Sequence, residues 1–585
     1  MKNLWKTLKW KNLIREVYLL QKNIYDHAKS GNLDQVHHLQ EILIESQDAK
    51  FLAVKRVTSD NKGKNTAGID GKKFLNPQER FLLAENLSLN DKSDPVVRVY
   101  IPKPGTDEKR PLGIPTMEDR AKQALAKLPL EPQMEAVFEP HSFGFRPGRK
   151  AADATWQIRH KLKYGPLWVY DADIKKCFDR ISHKSLLEKI SSTEKIKTQV
   201  KAWLEAGIFE KGEAFPSTGV RTPQGKVISP LLANIALDGA QNKIWESVYR
   251  STGNKKKADK VLYIRYADDF IILSPDKDWL GEGIRAVEAH ISLMGLEIKT
   301  EKTRIVHTEP SKGHLLDIDS HSSTPAFGST KLSMEKSFDF LGFEFSQRRV
   351  GEYKKVKLGG GKDVTELVPI VLPAESKVKN HFSAVSKVFK KSTSSLELVK
   401  NLNPLIRGWR NYYKLSDSRT YGTLPSRWDS RINIKCRHWI KRNFNAYGRN
   451  PKFWTSVKGD NWVFYGEDPS RKKKVYMDKY AWVSWSLGGY NRIVSARSLY
   501  DGDISYWSLH GGNRLFGESS PKRDTLLRRQ AGKCALCKTP FTAEDFPYME
   551  IDHIKERSKG GGEKWSNSRL LHKECHKKRH ESPIL

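Results

Sequence analysis

The most informative alternation of apolar and polar positions lies in Val261–Ser274. Two β-favouring apolar runs flank a short acidic step, Ala267-Asp268-Asp269. That pattern predicts a β-hairpin with both carboxylates at its turn. A second acidic strand is predicted upstream in Leu167–Ile181, where Asp171 and Asp173 are two apart and so share one face. Leu33, Val36, Leu39 and Leu43 keep a helical period, and residues 11–57 read as a helical hairpin broken at Gly31-Asn32. Val96–Gly105 followed by Lys109–Pro115 reads as strand, turn, strand, and Phe338–Phe345 as a single strand. Residues 309–335 are rich in Ser, Gly and Pro, which predicts a loop insertion. In 461–525 Trp, Tyr and Ser alternate, as in Tyr480–Ser486, and a small mixed segment is expected.

Composition narrows the function classes. The chain has 585 residues, enough for several cores. Lys and Arg total 103 against 68 Asp and Glu, a net charge of +35, which points to a polyanionic partner. The excess is concentrated: residues 371–460 carry 19 Lys and Arg but five Asp and Glu, with four Trp and four Tyr among them. Basic and aromatic residues together suit base stacking and phosphate neutralisation. No apolar run of about 18 residues occurs, so no membrane span is expected. The N-terminal residues lack an apolar signal core, so a cytoplasmic, nucleoid or organellar location is expected rather than secretion. Three of the five cysteines, Cys534, Cys537 and Cys575, lie near the C-terminus at spacings that suggest metal binding rather than disulfides.

The candidate chemistry follows from these placements. Adjacent like charges repel, and a bound divalent cation would offset the repulsion of Asp268 and Asp269. If the two acidic strands converge, they make a two-metal phosphoryl-transfer site. Ser142–Arg149 combines two Gly, one Pro, Arg146 and Arg149, a composition suited to a backbone lying close to a phosphate chain. Gln224, in Thr222-Pro-Gln-Gly225, sets a polar amide beside a turn, where it could hydrogen-bond a nucleotide or a template backbone. Cys534 and Cys537 with His572 and Cys575 form two knuckles of a structural zinc site.

Tyr266-Ala267-Asp268-Asp269, Asp173–Asp179 and Thr222–Leu237 resemble successive boxes of reverse transcriptases. Asn403–Tyr413 resembles the maturase box of group II intron-encoded proteins, and Glu550–Ile554, Asn567 and Cys575-His576 resemble an HNH nuclease. The chain is thereby identified as similar to the multifunctional group II intron-encoded proteins. The resemblance implies a multidomain α+β chain: a right-hand polymerase with fingers and palm, a helical thumb and a C-terminal ββα-metal nuclease containing zinc. The implied divisions are 1–90 (N-terminal extension and start of fingers), 91–164 (fingers), 165–365 (palm with insertion), 366–460 (thumb or maturase domain), 461–525 (DNA-binding segment) and 526–585 (endonuclease). An unpartnered retron-like or defence reverse transcriptase is the alternative, and the maturase box and the fused nuclease argue against it.

Residue roles follow from the same resemblance. Asp173 and Asp268 would hold two Mg2+ ions, with Asp269 in electrostatic support. Lys103 and Arg110 would grip the nucleotide triphosphate. Phe178 would wall off the 2′-hydroxyl or simply fill core. Lys302 would neutralise or protonate pyrophosphate, or stand as a solvated lysine. Arg146, Arg149, Arg407, Trp409 and Arg410 would bind RNA, although Trp409 suits a core equally well. In the nuclease His553 is the expected general base, Asp552, His576 and His580 the ligands of a divalent metal, and Asn567 the residue that fixes the loop beside His553. Arg557, Lys559 and Gly560–Gly562 would let the backbone approach DNA. The expected partners are intron RNA, target DNA and deoxynucleotides. The chain departs from the usual family text at Lys226, where a second Gly is common, and at His572, where Cys is common.

Overall fold

The computed structural model describes residues 4–102, 108–210, 213–215, 226–309, 331–332, 337–349, 367–419, 423–457, 459–470, 473–485, 490, 492–494, 497–510, 521–542, 545, 549–556, 560–562 and 564–581. Lys103, Gln224, Arg557, Lys559 and most of the 309–335 insertion lie outside the described residues, as does the side chain of His580.

The N-terminal region is three helices rather than a two-helix hairpin. Trp10–Lys29, Leu33–Glu45 and Gln47–Lys55 follow one another, with the expected break at Gly31-Asn32 and a second at Ser46. They pack on Met117–Val137, a helix buried almost all round despite its many polar residues. Pro132 in this helix has no N–H to give to the Leu128 carbonyl one turn back. Gln21 supplies it instead, its Nε2 donating to Leu128 O at 2.7 Å.

Two sheets frame the centre of the chain. Val96–Pro102 and Lys109–Ile114 pair antiparallel, as predicted, and are extended by Ile208–Glu210 and Glu213–Phe215. The five-stranded sheet runs in the order Leu262–Tyr266, Asp269–Ser274, Trp168–Asp173, Arg304–His307, Lys331–Leu332. Its central strands are buried on both faces, so they read as continuous apolar runs.

Phe338–Phe345 is not one strand. Ser337–Phe340 and Phe343–Arg349 form a hairpin that turns at Leu341-Gly342, and Leu367–Pro373 continues that sheet. The reversal needs left-handed backbone at both turn residues, with φ of +52° and +78°. Periodicity alone did not reveal it, because Phe338, Phe340, Phe343 and Phe345 all end up buried on either side of the turn.

Three helices, Glu375–Lys391, Ser395–Tyr413 and Leu424–Phe444, carry the basic stretch. They bury Trp428, Trp439 and Ile406 and turn charge outward. The 461–525 stretch does not pack as a separate unit. Asp460–Asp468 and Lys473–Tyr476 form a sheet with Trp454–Val457 against Ser395–Tyr413, and Tyr480 and Trp485 enter the same core. Leu499, Tyr500, Ile504 and Trp507 instead join Tyr18 and Tyr25 of the first long helix and the core of the C-terminal unit. That unit begins before 526, with the helix Pro521–Arg529, and continues as the hairpin Glu550–His553/Ser568–Leu571 and the helix Lys573–Glu581.

Trp409 belongs to this interior and is corrected as an RNA contact: it is buried, its ring centroid 4.3 Å from His381 and 5.8 Å from Trp428. Trp409→Ala should therefore lower the stability of the helical unit by about 3–5 kcal/mol, read by denaturant unfolding. Unchanged stability with weakened RNA binding would instead place the ring at the surface.

Candidate active sites

The acidic hairpin forms as the sequence predicts. Tyr266 pairs with Asp269 across the turn, and Asp269 in turn pairs with Asp173 on the neighbouring strand. Asp173, Asp268 and Asp269 thus meet at one end of the five-stranded sheet. Burial pushes the Asp269 carboxyl up to about 7, helped by Asp268, Asp173 and Asp171. Burial and then Asp173 raise Asp268, while Arg110 and Lys302 oppose the rise. Asp171 is raised to about 6 by burial against the pull of Arg304, whose Nε lies 3.1 Å away. Lys302 Nζ stands 3.5 Å from Asp173 Oδ2, exposed at the cleft. Phe178 is largely buried in the short helix Cys177–Arg180 behind the site.

Backbone strain concentrates here. Ala267 at the turn has φ +59°, Lys176 before Phe178 has +49°, and Phe145 has +60°. Non-glycine residues rarely occupy this region, and functional sites are where they gather.

Three residues that sequence reasoning missed hold the turn. Ser142–Phe143 lies along the hairpin edge, with Phe143 N donating to Arg265 O at 2.9 Å and Arg265 N donating to His141 O at 3.0 Å. Gly144 then presses on the turn itself: a Cβ there would stand 2.2 Å from Ala267 N. Asn234 Nδ2 donates to Gly144 O at 2.9 Å, and its Oδ1 accepts from Arg265 Nη1 at 2.8 Å. Arg265 is fully buried and also donates to Ala267 O at 3.3 Å. The available signal was a lone arginine inside an apolar strand run.

Arg146 and Arg149 are corrected as RNA contacts. Arg146 is sealed in an ion pair with Glu135 at 2.8 Å and donates to the carbonyls of Glu139 and Ser142. Arg149 is buried and donates to the carbonyls of Pro140 and Arg497. Arg410 is mostly inside too, donating to Lys479 O at 3.1 Å, whereas Arg407 is exposed and pairs with Asp478. Lys226 turns inward and donates to Trp203 O; burial lowers its amine to about 8.

In the C-terminal unit the ligand atoms of Cys534, Cys537, His572 and Cys575 lie within 4.8 Å of one another, and the set could hold a metal ion. Burial opposes ionisation of Cys537, but hydrogen bonds with Thr539, Cys534 and His572 bring its thiol down to about 6. Burial and the neighbouring Cys537 and Cys534 push Cys575 up to about 11. Asp552 and His553 share the first strand of the hairpin. Asp552 Oδ2 accepts from Arg569 Nε at 2.7 Å and from Arg579, while its Oδ1 faces His576 Nε2 at 3.9 Å. Asn567 closes the loop after His553: its Oδ1 accepts from Lys555 N at 2.7 Å and its Nδ2 donates to the carbonyls of Lys555 and Gly562. Gly561 packs on that same loop, because a Cβ there would meet Lys555 O at 1.9 Å.

The raised carboxyls give a stability prediction. A carboxyl whose folded value exceeds its unfolded one contributes stability below about pH 4 and loses it as pH rises through about 7. Asp269→Asn should therefore raise the thermal midpoint of the metal-free protein at about pH 7.5, with the gain shrinking toward about pH 5. A gain independent of pH would contradict the charge argument.

Comparison with known proteins finds a polymerase and a nuclease domain in the chain. Residues 101–345 match the family model of the reverse transcriptase (RNA-dependent DNA polymerase), and residues 5–87 match the N-terminal domain of reverse transcriptase. Residues 378–456 match the group II intron maturase-specific domain, and 534–582 the HNH endonuclease. Group II intron-encoded protein LtrA of Lactococcus lactis subsp. cremoris is 28% identical over 613 residues, covering 91% of this chain and 93% of that protein. Protein YkfC of Escherichia coli is 31% identical over 292 residues, covering 43% of this chain and 75% of that protein. Maturase-like protein 1 of Euglena gracilis is 25% identical, covering 70% and 78%. The maturase and nuclease matches do not favour an unpartnered reverse transcriptase. The chain belongs to the group II intron-encoded proteins, multifunctional chains that join a reverse transcriptase, a maturase and an HNH endonuclease.

Proposed function

We propose that the protein copies RNA into DNA at the Asp173–Asp268–Asp269 cluster, in a right-hand polymerase whose palm is the five-stranded sheet. The observation that carries this reading is the register that sets Asp173 opposite Asp269, one residue from Asp268 at the turn. The donor set fits cations, because each carboxyl raised by its neighbours is relieved by positive charge. Asp173 and Asp268 would hold two Mg2+ ions, which supply Lewis acidity for attack by the primer 3′-hydroxyl. Asp269 adds negative charge behind them. Arg110 projects from the neighbouring hairpin to pair with the triphosphate, with Lys103 and Gln224 in the same task. Lys302, already drawn to Asp173, takes up charge on departing pyrophosphate. Phe178 limits space at the sugar 2′ position and so favours deoxynucleotides.

In the ββα-metal nuclease His553 accepts the proton of the attacking water, and Asn567 keeps the following loop in place. Asp552 and His576, with His580, would hold a divalent cation that supplies positive charge at the scissile phosphate. Cys534, Cys537, His572 and Cys575 would hold a structural zinc ion that ties the knuckle to the last helix. The nicked target strand then offers its 3′ end as primer. The basic helical unit, with Arg407 exposed on it, and the N-terminal helices would bind the intron RNA and aid its folding for splicing, as a ribonucleoprotein in the cytoplasm, the nucleoid or an organelle. Among the described residues no helix is long and apolar enough to cross a membrane.

The test is a double dissociation. Asp268→Asn should abolish DNA synthesis and leave target nicking and protein-dependent splicing at low Mg2+ intact. His553→Ala should abolish nicking alone. Unchanged synthesis in the first variant, or unchanged nicking in the second, would remove that assignment; splicing indifferent to the protein would remove the maturase role.

A further inference from the structure

Phe145 follows Gly144, which abuts the catalytic turn, yet the residue is 52% exposed and its backbone is left-handed at φ +60°. A bulky side chain is disfavoured in that conformation, and an exposed phenyl ring gains little from burial. The fold enforces the placement from both sides. On one side Gly144 O is held by Asn234 while Gly144 abuts Ala267. On the other Arg146 is locked to Glu135 and to the Ser142 and Glu139 carbonyls. An aromatic ring kept strained and exposed next to reacting groups is a surface shaped for a ligand.

We propose that Phe145 packs against the sugar–base face of the terminal primer–template pair, which makes it a further positioning residue for DNA synthesis. The inference rests on the reverse-transcriptase reading. The duplex is favoured over the incoming nucleotide by where the loop leads. It runs on to Lys150, which lines a cleft of about 810 Å3 together with Lys414, Tyr266, Phe343 and Tyr412. That cleft is lined from both the catalytic hairpin and the Ser395–Tyr413 helix and offers aromatic and basic groups suited to stacking on bases and neutralising phosphates. The basic residue nearest the nucleotide side, Arg110, comes from the other sheet.

The experiment is steady-state extension of a primed RNA template by the full chain. Phe145→Ala should raise the KM for primer–template about tenfold and leave the KM for deoxynucleotide unchanged. Phe145→Tyr should restore it. Phe145→Gly should lose the same affinity while its thermal midpoint stays at or above that of the wild type, since glycine takes φ +60° without strain. An unchanged primer–template KM in Phe145→Ala, a defect confined to the deoxynucleotide KM, or a lowered midpoint in Phe145→Gly would overturn the proposal. Wild-type protein that extends no primed template would remove the underlying reading as well, whereas active wild type with an indifferent Phe145→Ala removes this inference alone.

Discussion

Three carboxylates gathered at one end of a sheet repel one another, and much of the surrounding structure answers that repulsion. Asp268 sits in a two-residue turn with Ala267, Asp269 opens the strand that follows, and Asp173 faces Asp269 from the next strand. Burial and the neighbouring carboxylates raise Asp268 and push Asp269 up to about 7. The turn does not hold this arrangement by itself. Gly144 bears on its backbone, Asn234 fastens Gly144, and the buried Arg265 ties both to the Ala267 carbonyl. The opposing positive charge at Asp268 comes from Arg110 and Lys302, while Arg265 acts on the backbone of the turn.

The same device recurs elsewhere. A chain with net charge +35 keeps some of its cations inside: Arg146 against Glu135, Lys226 against a carbonyl, Arg569 and Arg579 on Asp552. Each such group is desolvated and paired, so removing its partner would leave a costly buried charge. These cations hold loops in shape, while Arg407 and Lys302, for which a phosphate role is proposed, stand exposed at the surface.

That division explains what was legible in the sequence. Periodicity recovered the acidic hairpin and the Val96–Ile114 pair, because each depends on local alternation, while the helical basic unit came from the resemblance. The knuckle spacing recovered a cysteine–histidine set that does converge. The Arg146 reading went wrong and the Trp409 reading stayed open for one reason: composition shows that a residue is basic or aromatic but not which way it points. The Phe338–Phe345 turn was hidden because its residues are apolar on both arms. The split of 461–525 between two cores was hidden because it depends on contacts with residues hundreds of positions away, such as Tyr18 with Leu499. Gly144 and Asn234 carry no chemistry of their own and acquire a role only through contact with the turn.

The central claim is that this backbone contact, rather than the carboxylates alone, builds the polymerase site. Its most direct test is the rate of DNA synthesis by Gly144→Ala, with target nicking by the same preparation as the control for folding. The added methyl must displace Ala267, so synthesis should fall about 100-fold or more while nicking persists. Synthesis at the wild-type rate would show that the turn keeps its shape without Gly144 and would contradict the account.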